Sequence, residues 1–326
     1  MTRYLKRIYA TIIAMLMAST TQVNGFEYDQ SACEPECCDN QYCGVTLKAE
    51  LLYWRPELCG LEGAFGNTTI ATTVNSSAIT TTTVTESDKE PHSKWNAGFR
   101  IGADVALNCF DAELDWTHFN GRANFHDDEQ HGHWKIHYDV IDLTFGRYFD
   151  AWSSCFRLRP FIGVRGAYIH QRLDSHLETL FTSTLIGNNT VFTDKDDRES
   201  FWGIGPQIGL DALWNIGCNF SLYGKFSLVT YYGHVKSRNY DVDTFTSTVS
   251  VCNGKRRHCF NNFGTDAEIG VRWDTCLPSC FCCCDLNVML KLGLEQHRIY
   301  EFSELGSDGN LSLDGVVLGI GVGSNF

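Results

Sequence analysis

The C-terminal segment constrains the fold of this chain more than any other part of the sequence. From Val316 to Phe326, apolar side chains alternate with glycine and other small residues, and the chain ends on an aromatic residue. A period of two indicates a β-strand with one apolar face. In lipid such a strand needs a closed barrel, because every backbone amide and carbonyl must be hydrogen-bonded within the protein. The segment therefore predicts a transmembrane β-barrel.

The N-terminal segment has a different character from the rest of the chain. Three basic residues precede an apolar run over residues 8–18, an order typical of a secretory signal peptide, and we predict cleavage after Gly25. The remaining chain has 23 basic and 39 acidic side chains, a net charge near −16, which argues against a nucleic-acid partner. We expect a signal peptide over residues 1–25, a cysteine-rich periplasmic segment over 26–43 and the barrel over 44–326.

Period-two alternation recurs along the whole barrel region and predicts an all-β, antiparallel fold of about ten strands. One of these segments changes phase near Val140–Ile141, which predicts a β-bulge. A threonine-rich run over residues 68–85 has high β-propensity, so twelve strands are the alternative. The ten segments lie near residues 45–53, 95–105, 112–117, 133–149, 157–168, 202–211, 220–228, 263–272, 286–295 and 316–326.

The connections between these segments alternate in length. The short ones are expected near residues 106–111, 150–155, 215–218 and 274–285. The long polar ones are expected near residues 56–93, 120–132, 172–199, 234–262 and 300–310. Bacterial outer-membrane barrels have short periplasmic turns and long external loops, so we predict an outer-membrane location with both termini in the periplasm. The soluble alternative is a β-sandwich or lipocalin-like barrel, which would not place charges and glycines on one face of nearly every strand.

Charged side chains at inward positions are the main functional signal. In a water-filled lumen, rings of such side chains select ions, which favours a passive pore. The alternative is that the charges pair across a narrow interior and close it, since ten strands are nearer to a filled eight-stranded barrel than to a porin. The pore-lining candidates are Lys48, Glu50, Arg100, Asp104, Arg157, Arg159, Arg165, Asp211, Lys225, Glu268, Arg272, Lys291 and Glu295.

The chain has fifteen cysteines, an odd number and a heavy load for an exported protein. Compartments beyond the inner membrane are oxidising, so we expect disulfides within and between chains at the periplasmic rim. A zinc site at Cys280–Cys284 is the alternative. On the external side, Cys252 and Cys259 are expected to close a small loop. The disulfide candidates are Cys33, Cys37, Cys38, Cys43, Cys109, Cys155, Cys218, Cys252, Cys259, Cys276, Cys280, Cys282, Cys283 and Cys284.

Histidine and aspartate cluster at the predicted external end, but they have no fixed spacing. We predict neither a metal site nor a cofactor from the first of these groups, which comprises His126, His131, His133 and His137 beside Asp127, Asp128 and Glu129. A protease or lipase would need a nucleophile, a base and an orienting group. No such set can be assembled from the second group, so we predict no enzyme; it comprises His118, Asp127, Asp128, His170, Asp174 and His234.

Several strand motifs resemble the pore-forming major outer membrane proteins of the Legionella type, a family also expanded in chlamydia-like bacteria. The resemblance implies a porin-like barrel that allows passive diffusion of small solutes. Its cysteine-rich branch implies disulfide links to other envelope proteins or to further copies of the chain, beside contact with outer-membrane lipid. The motifs are Lys48–Pro56 (KAELLYWRP), Gly98–Gly102 (GFRIG), Leu114–Phe119 (LDWTHF), Asp142–Arg147 (DLTFGR), Arg159–Arg165 (RPFIGVR), Gly203–Pro206 (GIGP) and the closing strand.

Overall fold

A computed structural model describes most of the predicted barrel. The described residues are 44–59, 92–107, 110–126, 130–151, 155–183, 187–245, 248–277, 286–303, 305 and 309–325. The predicted signal peptide, the cysteine-rich segment over 26–43 and the threonine-rich run over 68–85 lie outside them. In the described part of the chain, no helix is long and apolar enough to cross a membrane.

The regular structure of the described residues consists of β-strands. Their bounds are β1 Gly44–Leu58, β2 His92–Ser93, β3 Asn96–Leu107, β4 Phe110–His126, β5 Gln130–Gly146, β6 Phe149–Asp150, β7 Phe156–Ser183, β8 Gly187–Gly217, β9 Phe220–Phe245, β10 Thr248–Leu277, β11 Leu286–Ser303 and β12 Gly309–Asn325.

Ten of these strands close into one antiparallel barrel. Each long strand pairs with its neighbours in sequence, and β12 closes the circle by pairing with β11 on one side and β1 on the other. Leu318 of β12 lies opposite Leu51 of β1. The two-residue strands β2 and β6 add to β4 and β7 without joining the circle. The prediction of a ten-stranded barrel closed by the C-terminal strand is therefore confirmed.

The β8–β9 turn shows how tightly the short-turn end is built. Only Cys218 and Asn219 separate the two strands, and both have a positive φ, 54° and 66°. Positive φ at both central residues is what a two-residue type I′ hairpin requires, because its twist matches that of the flanking strands. Gly217, with φ 116°, adopts a conformation that only glycine reaches without strain.

The opposite end differs from the prediction, because strands replace most of the expected loops. Strands β7 to β10 have 28, 31, 26 and 30 residues, and they cover most of the regions 172–199 and 234–262. Strands β4 and β5 likewise cover most of region 120–132. Among the described side chains of these regions, polar ones such as Arg172 and Arg238 lie on the outer wall and face water, whereas others such as Glu199 are buried inside the barrel.

The predicted bulge near Val140–Ile141 is absent, and this prediction is wrong. The register of β5 with β4 and with β7 is unbroken across the site. Side chains alternate regularly along β5, but the face that carries the apolar residues changes. Up to Val140 the apolar residues, such as Trp134, are buried inside the barrel, whereas Ile141 and Leu143 are exposed on its outer wall. The change of phase in the sequence therefore marks the height at which the outer wall passes from lipid to water.

An apolar band surrounds the half of the barrel that contains the short turns. At the border of the band farther from the short turns lies a set of outward aromatic residues, which we call the aromatic girdle: Tyr53, Trp95, Phe99, Trp116, Tyr168, Trp202, Tyr232 and Phe263. Tyr53 stacks on Trp95, with the ring centroids 5.2 Å apart. Such a band, bordered by aromatic residues, is typical of the lipid-facing surface of an outer-membrane barrel.

Candidate functional site: the barrel interior

The interior has two levels with opposite chemistry. Next to the short turns, at the height of the apolar band, inward side chains are charged. Beyond the girdle, most inward side chains are apolar, with Gln171 and Glu199 buried among them and hydrogen-bonded to each other. Along each strand, side chains alternate between the outer wall and the interior. Apolar residues occupy the outward positions at the height of the lipid and the inward positions beyond the girdle.

The apolar level, which we call the apolar layer, fills the lumen beyond the girdle. Trp54 of β1 contacts Phe119 of β4, with ring centroids 5.2 Å apart, and Tyr138 of β5, at 6.2 Å. Phe201 of β8 contacts Tyr231 of β9 at 5.8 Å and lies near Phe302 of β11. The layer consists of Leu52, Trp54, Leu58, Phe119, Ala123, Trp134, Ile136, Tyr138, Val140, Ala167, Ile169, Leu173, Phe201, Val229, Tyr231, Val235, Ile299, Phe302, Leu305, Leu311, Leu313 and Val317.

These side chains are closed to solvent. Trp54, Phe119, Ile169, Phe201 and Leu313 are between 0 and 1% exposed. They come from strands β1, β4, β7, β8 and β12, so strands around most of the barrel circumference contribute side chains to the layer. A lumen that admitted water at this height would leave some of these side chains wet.

Below the layer, a network of ion pairs crosses the interior. Lys48 Nζ lies 2.9 Å from Asp104 Oδ1 and also pairs with Glu113. Arg159, with its side chain 3% exposed, pairs with Asp211 at 2.7 Å and with Asp111. Buried guanidinium groups need such partners, because an unpaired charge in the interior is costly.

A second part of the network lies between β3, β1 and β11. Arg100 reaches Glu50 at 2.8 Å and Glu295 at 2.5 Å. Lys291 reaches Glu50 at 2.6 Å and Glu268 at 3.0 Å. Each acid and each base here has a partner on a different strand, so the network holds the barrel wall together across the lumen.

A third part lies directly beneath the apolar layer. Arg165 pairs with Asp142 at 2.5 Å and with Asp266 at 2.6 Å. His297 lies between Asp266 and Glu295, with its two ring nitrogens 2.7 Å from each. Trp54 of the apolar layer contacts the His297 ring at 4.8 Å, which joins the two levels.

The thirteen predicted pore-lining residues all lie on the inward side of their strands, but not all join the network. Lys225 is 3.7 Å from Glu113. Arg157 stacks over the Tyr148 ring, and Arg272 pairs with Asp274 two residues away. The structure thus places Arg157 and Arg272 in local contacts near the short-turn end.

Several members of the network are not among the predicted site residues. Asp111, Glu113 and Asp115 alternate inward on β4, so the same period-two signal identifies them. Asp142 was hidden by the misread phase of β5, and His297 lies just beyond the predicted end of its strand. A cavity of about 250 Å³ remains among the charges, bordered by Lys48, Arg159 and Lys291 among others.

The histidine groups lie on strands of the outer wall instead of in a loop. His118 Nδ1 and His137 Nε2 lie 2.8 and 2.6 Å from the two carboxylate oxygens of Asp139. His170 Nδ1 lies 2.8 Å from Ser200 Oγ, but no carboxylate among the described side chains hydrogen-bonds His170. A complete nucleophile–base–orienter set is therefore not assembled from the described candidates, and Asp127 and Asp128 lie outside the described residues.

The cysteines within the described residues are spread over both ends of the barrel. The thiols of Cys252 and Cys259 are free, and both residues lie on the extended strand β10, about 23 Å apart at the rise of a strand. The predicted Cys252–Cys259 disulfide is therefore wrong, since bridged α-carbons must lie within about 7 Å.

The other described cysteines are Cys59, which is exposed just after β1, Cys155, which is buried, Cys218, which is exposed in the β8–β9 turn, and Cys276, whose thiol donates to Asn287 Oδ1 at 3.0 Å. The remaining disulfide candidates lie outside the described residues: Cys33, Cys37, Cys38, Cys43, Cys109, Cys280, Cys282, Cys283 and Cys284.

Comparison with solved structures finds outer-membrane barrels of low sequence identity. The outer membrane protease OmpT from Escherichia coli is 11% identical, with 90% of this chain and 100% of that chain covered and a TM-score of 0.34. The toluene transporter TodX from Pseudomonas putida is 8% identical, with 89% and 91% covered and a TM-score of 0.32. OprG from Pseudomonas aeruginosa is 10% identical, with 88% and 97% covered and a TM-score of 0.23.

Comparison at the sequence level identifies the family. No curated protein matches the chain. The model of the family described as Legionella pneumophila major outer membrane protein precursor matches residues 37–322, most of the chain. The resemblance noted in the strand motifs is thereby confirmed: the chain belongs to the Legionella major outer membrane protein family, as a closed ten-stranded barrel of the bacterial outer membrane.

Proposed function

We propose that this protein is a structural outer-membrane barrel whose lumen is closed to solutes. The observation that carries the proposal is the apolar layer, in which buried aromatic side chains contact each other across strands up to three places apart, as Trp54 of β1 contacts Tyr138 of β5 and Phe201 of β8 contacts Phe302 of β11. An ion or a sugar crossing this layer would lose its water without gaining hydrogen-bond partners, which is unfavourable by several kcal/mol. The layer therefore acts as a barrier even though the level below it is polar.

The charged network supports the same function. Its acids and bases are paired across the lumen at 2.5 to 3.0 Å in most cases, with little exposure of the arginine side chains. In a selective pore, charges face a water column and remain available to the passing ion. Here they neutralise each other, as expected for an interior that stabilises the barrel.

Planar-bilayer recording of the refolded full-length protein tests this proposal. We expect no steady conductance from the wild type. Replacing Trp54→Ala and Phe119→Ala together removes a contacting pair of the apolar layer, and we expect conductance to appear. The matched control is Phe99→Ala with Trp116→Ala, an aromatic pair on the outer wall. Steady conductance from the wild type would overturn the closed barrel.

The second candidate is a passive pore for small solutes, which the inward charges in the sequence favour. The observation in its favour is the charge-lined cavity of about 250 Å³ in the half that contains the short turns. Conduction would then require the apolar layer to move aside. Swelling of liposomes in small sugars or amino acids, at a rate above that of protein-free liposomes, would support this candidate over the closed barrel.

We also propose that the protein catalyses no reaction and that its cysteines contribute to a disulfide-linked envelope. The exposed thiol of Cys218 at the short-turn end supports such a link to another chain. Electrophoresis of outer membranes without reductant should show oligomers that reductant dissolves. A monomer alone in both lanes would contradict the link, and hydrolysis of peptides or phospholipids by the refolded protein would contradict the absence of catalysis.

A further inference from the structure

Six basic residues form a single row across the outer wall of the barrel. They occupy directly opposed positions on six consecutive strands, β4, β5, β7, β8, β9 and β10, so each cation has another as its cross-strand neighbour. We call this set the basic row; its members are Arg122, Lys135, Arg172, Arg198, Arg238 and Lys255.

All six side chains are on the outward face of their strands. The Arg172 and Arg198 side chains are 40% and 42% exposed, and the other four residues are exposed. One step nearer to the girdle, Lys236 of β9 lies opposite Arg257 of β10 and thickens the row. The row therefore presents a continuous cationic surface to the medium around the outer wall of the barrel.

The height of the row is set by its distance along each strand from the aromatic girdle. It lies four residues beyond Tyr168 and Trp202, six beyond Trp116 and Tyr232, and eight beyond Phe263. For tilted strands this amounts to roughly 10 to 20 Å beyond the edge of the hydrocarbon. The row thus faces the polar zone of the external leaflet, at a height above that of simple phospholipid headgroups.

Carboxylates compensate only part of this charge. Arg172 pairs with Asp174 at 2.9 Å, and Arg198 pairs with Asp196 at 2.6 Å. This hydrogen bond from Arg198 lowers the pKa of the Asp196 carboxyl. Among the described side chains, Arg238, Lys255, Lys236 and Arg257 form no ion pair. Like charges directly opposite on neighbouring strands are destabilising, so an anion from outside the chain is needed to balance them.

We propose that the basic row binds the phosphorylated headgroups of an anionic glycolipid in the external leaflet. Guanidinium groups donate two parallel hydrogen bonds to phosphate oxygens, and lysine adds a point charge. The row follows the barrel wall over six strands, which fits several lipid headgroups side by side. It also stands at the height where a glycolipid carries phosphates on its sugars. The proposal is independent of whether the lumen conducts.

The test uses the refolded full-length protein in neutral detergent micelles and diphosphorylated lipid A as the probe, with bound lipid counted by native mass spectrometry. The double variant Arg238→Gln with Lys255→Gln removes two uncompensated cations. At about fivefold for each cation near a charged lipid surface, we expect roughly 25-fold weaker binding. The matched control, Arg55→Gln with Arg298→Gln, removes two outward cations from β1 and β11, strands outside the basic row, and should change binding by less than about twofold.

Two further arms identify the source of the anion. Lipid A stripped of its phosphates should bind poorly, and millimolar inorganic phosphate should not displace the diphosphorylated lipid. Raising the salt concentration from 50 to 500 mM should weaken binding of the wild type, since the attraction is between exposed charges.

Several results would overturn the proposal. They are equal binding of phosphorylated and dephosphorylated lipid, equal loss in both double variants, or displacement by inorganic phosphate. A dimer of the wild type that the row variant abolishes would assign the surface to a second copy instead. The heat-dependent electrophoretic shift of folded barrels verifies that each variant is folded.

Discussion

At the scale of single residues, buried ion pairs are the most sensitive points of this barrel. The Arg165 side chain is 5% exposed and lies between the carboxylates of Asp142 and Asp266. Removing one partner of a buried ion pair leaves the other charge without compensation, which is more costly than losing the pair as a whole. We therefore expect Arg165→Ala to lower the free energy of unfolding by about 3–5 kcal/mol.

Urea titration of the refolded variant in lipid vesicles, followed by tryptophan fluorescence, measures this change. Arg198→Ala is the control, because Arg198 lies on the outer wall, where water screens its ion pair with Asp196, and we expect little change in the free energy of unfolding. A change at Arg165 as small as that at Arg198 would show that water reaches the network and screens it.

The inward charges were predictable from the sequence because lipid leaves only one face of each strand for them. Lys48, Arg100 and Lys291 were identified in this way. Which acid pairs with which base was not predictable, because pairing depends on which strands meet across the lumen, and alternation contains no information on that. His297 is an example: it becomes part of the network only when β10 and β11 bring Asp266 and Glu295 to its two nitrogens.

At the scale of elements, a single strand crosses two media. On β9, Phe226 faces lipid near the middle of the apolar band, whereas His234 lies on the same face beyond Tyr232. A lysine is costly on the lipid-facing surface and inexpensive in water. We expect Phe226→Lys to reduce the free energy of unfolding by about 2–4 kcal/mol and His234→Lys by less than about 1 kcal/mol.

The same vesicle-based unfolding assay compares the two variants. Equal effects would mean that the aromatic girdle does not mark the edge of the hydrocarbon.

The same change of medium along a strand explains why the bulge predicted in β5 is absent. The number of strands was predictable, because alternation survives the change of medium. The extent of the strands was not predictable. Where apolar residues move from outward to inward positions, the sequence pattern shifts by one residue, and a β-bulge would produce the same shift.

At the scale of the whole molecule, the two ends of the barrel differ in which cysteines they expose. Cys218 lies in the β8–β9 turn, and Cys259 lies on the outer wall of the extended β10. If the short turns are periplasmic, a membrane-impermeant maleimide added to reduced, intact cells should label Cys259 and not Cys218. The measurement uses two variants that each retain one of these two cysteines, with labelling after cell lysis as the control.

Labelling of Cys218 from outside would reverse the orientation and place both termini at the cell exterior. The orientation was inferred from turn lengths, and strands replace several of the predicted long loops at the other end. The very short β8–β9 turn still favours a periplasmic position for that end.

The long strands β7 to β10 rise beyond the membrane as a hydrogen-bonded wall. Antibodies that reach the cell surface at this side would therefore meet a folded sheet, with side chains from neighbouring strands presented at fixed spacing. An epitope on this wall would combine residues far apart in sequence, such as Arg198 and Arg238. Serum raised against the folded barrel should lose most of its binding when the protein is boiled, and linear peptides from this region should make poor immunogens.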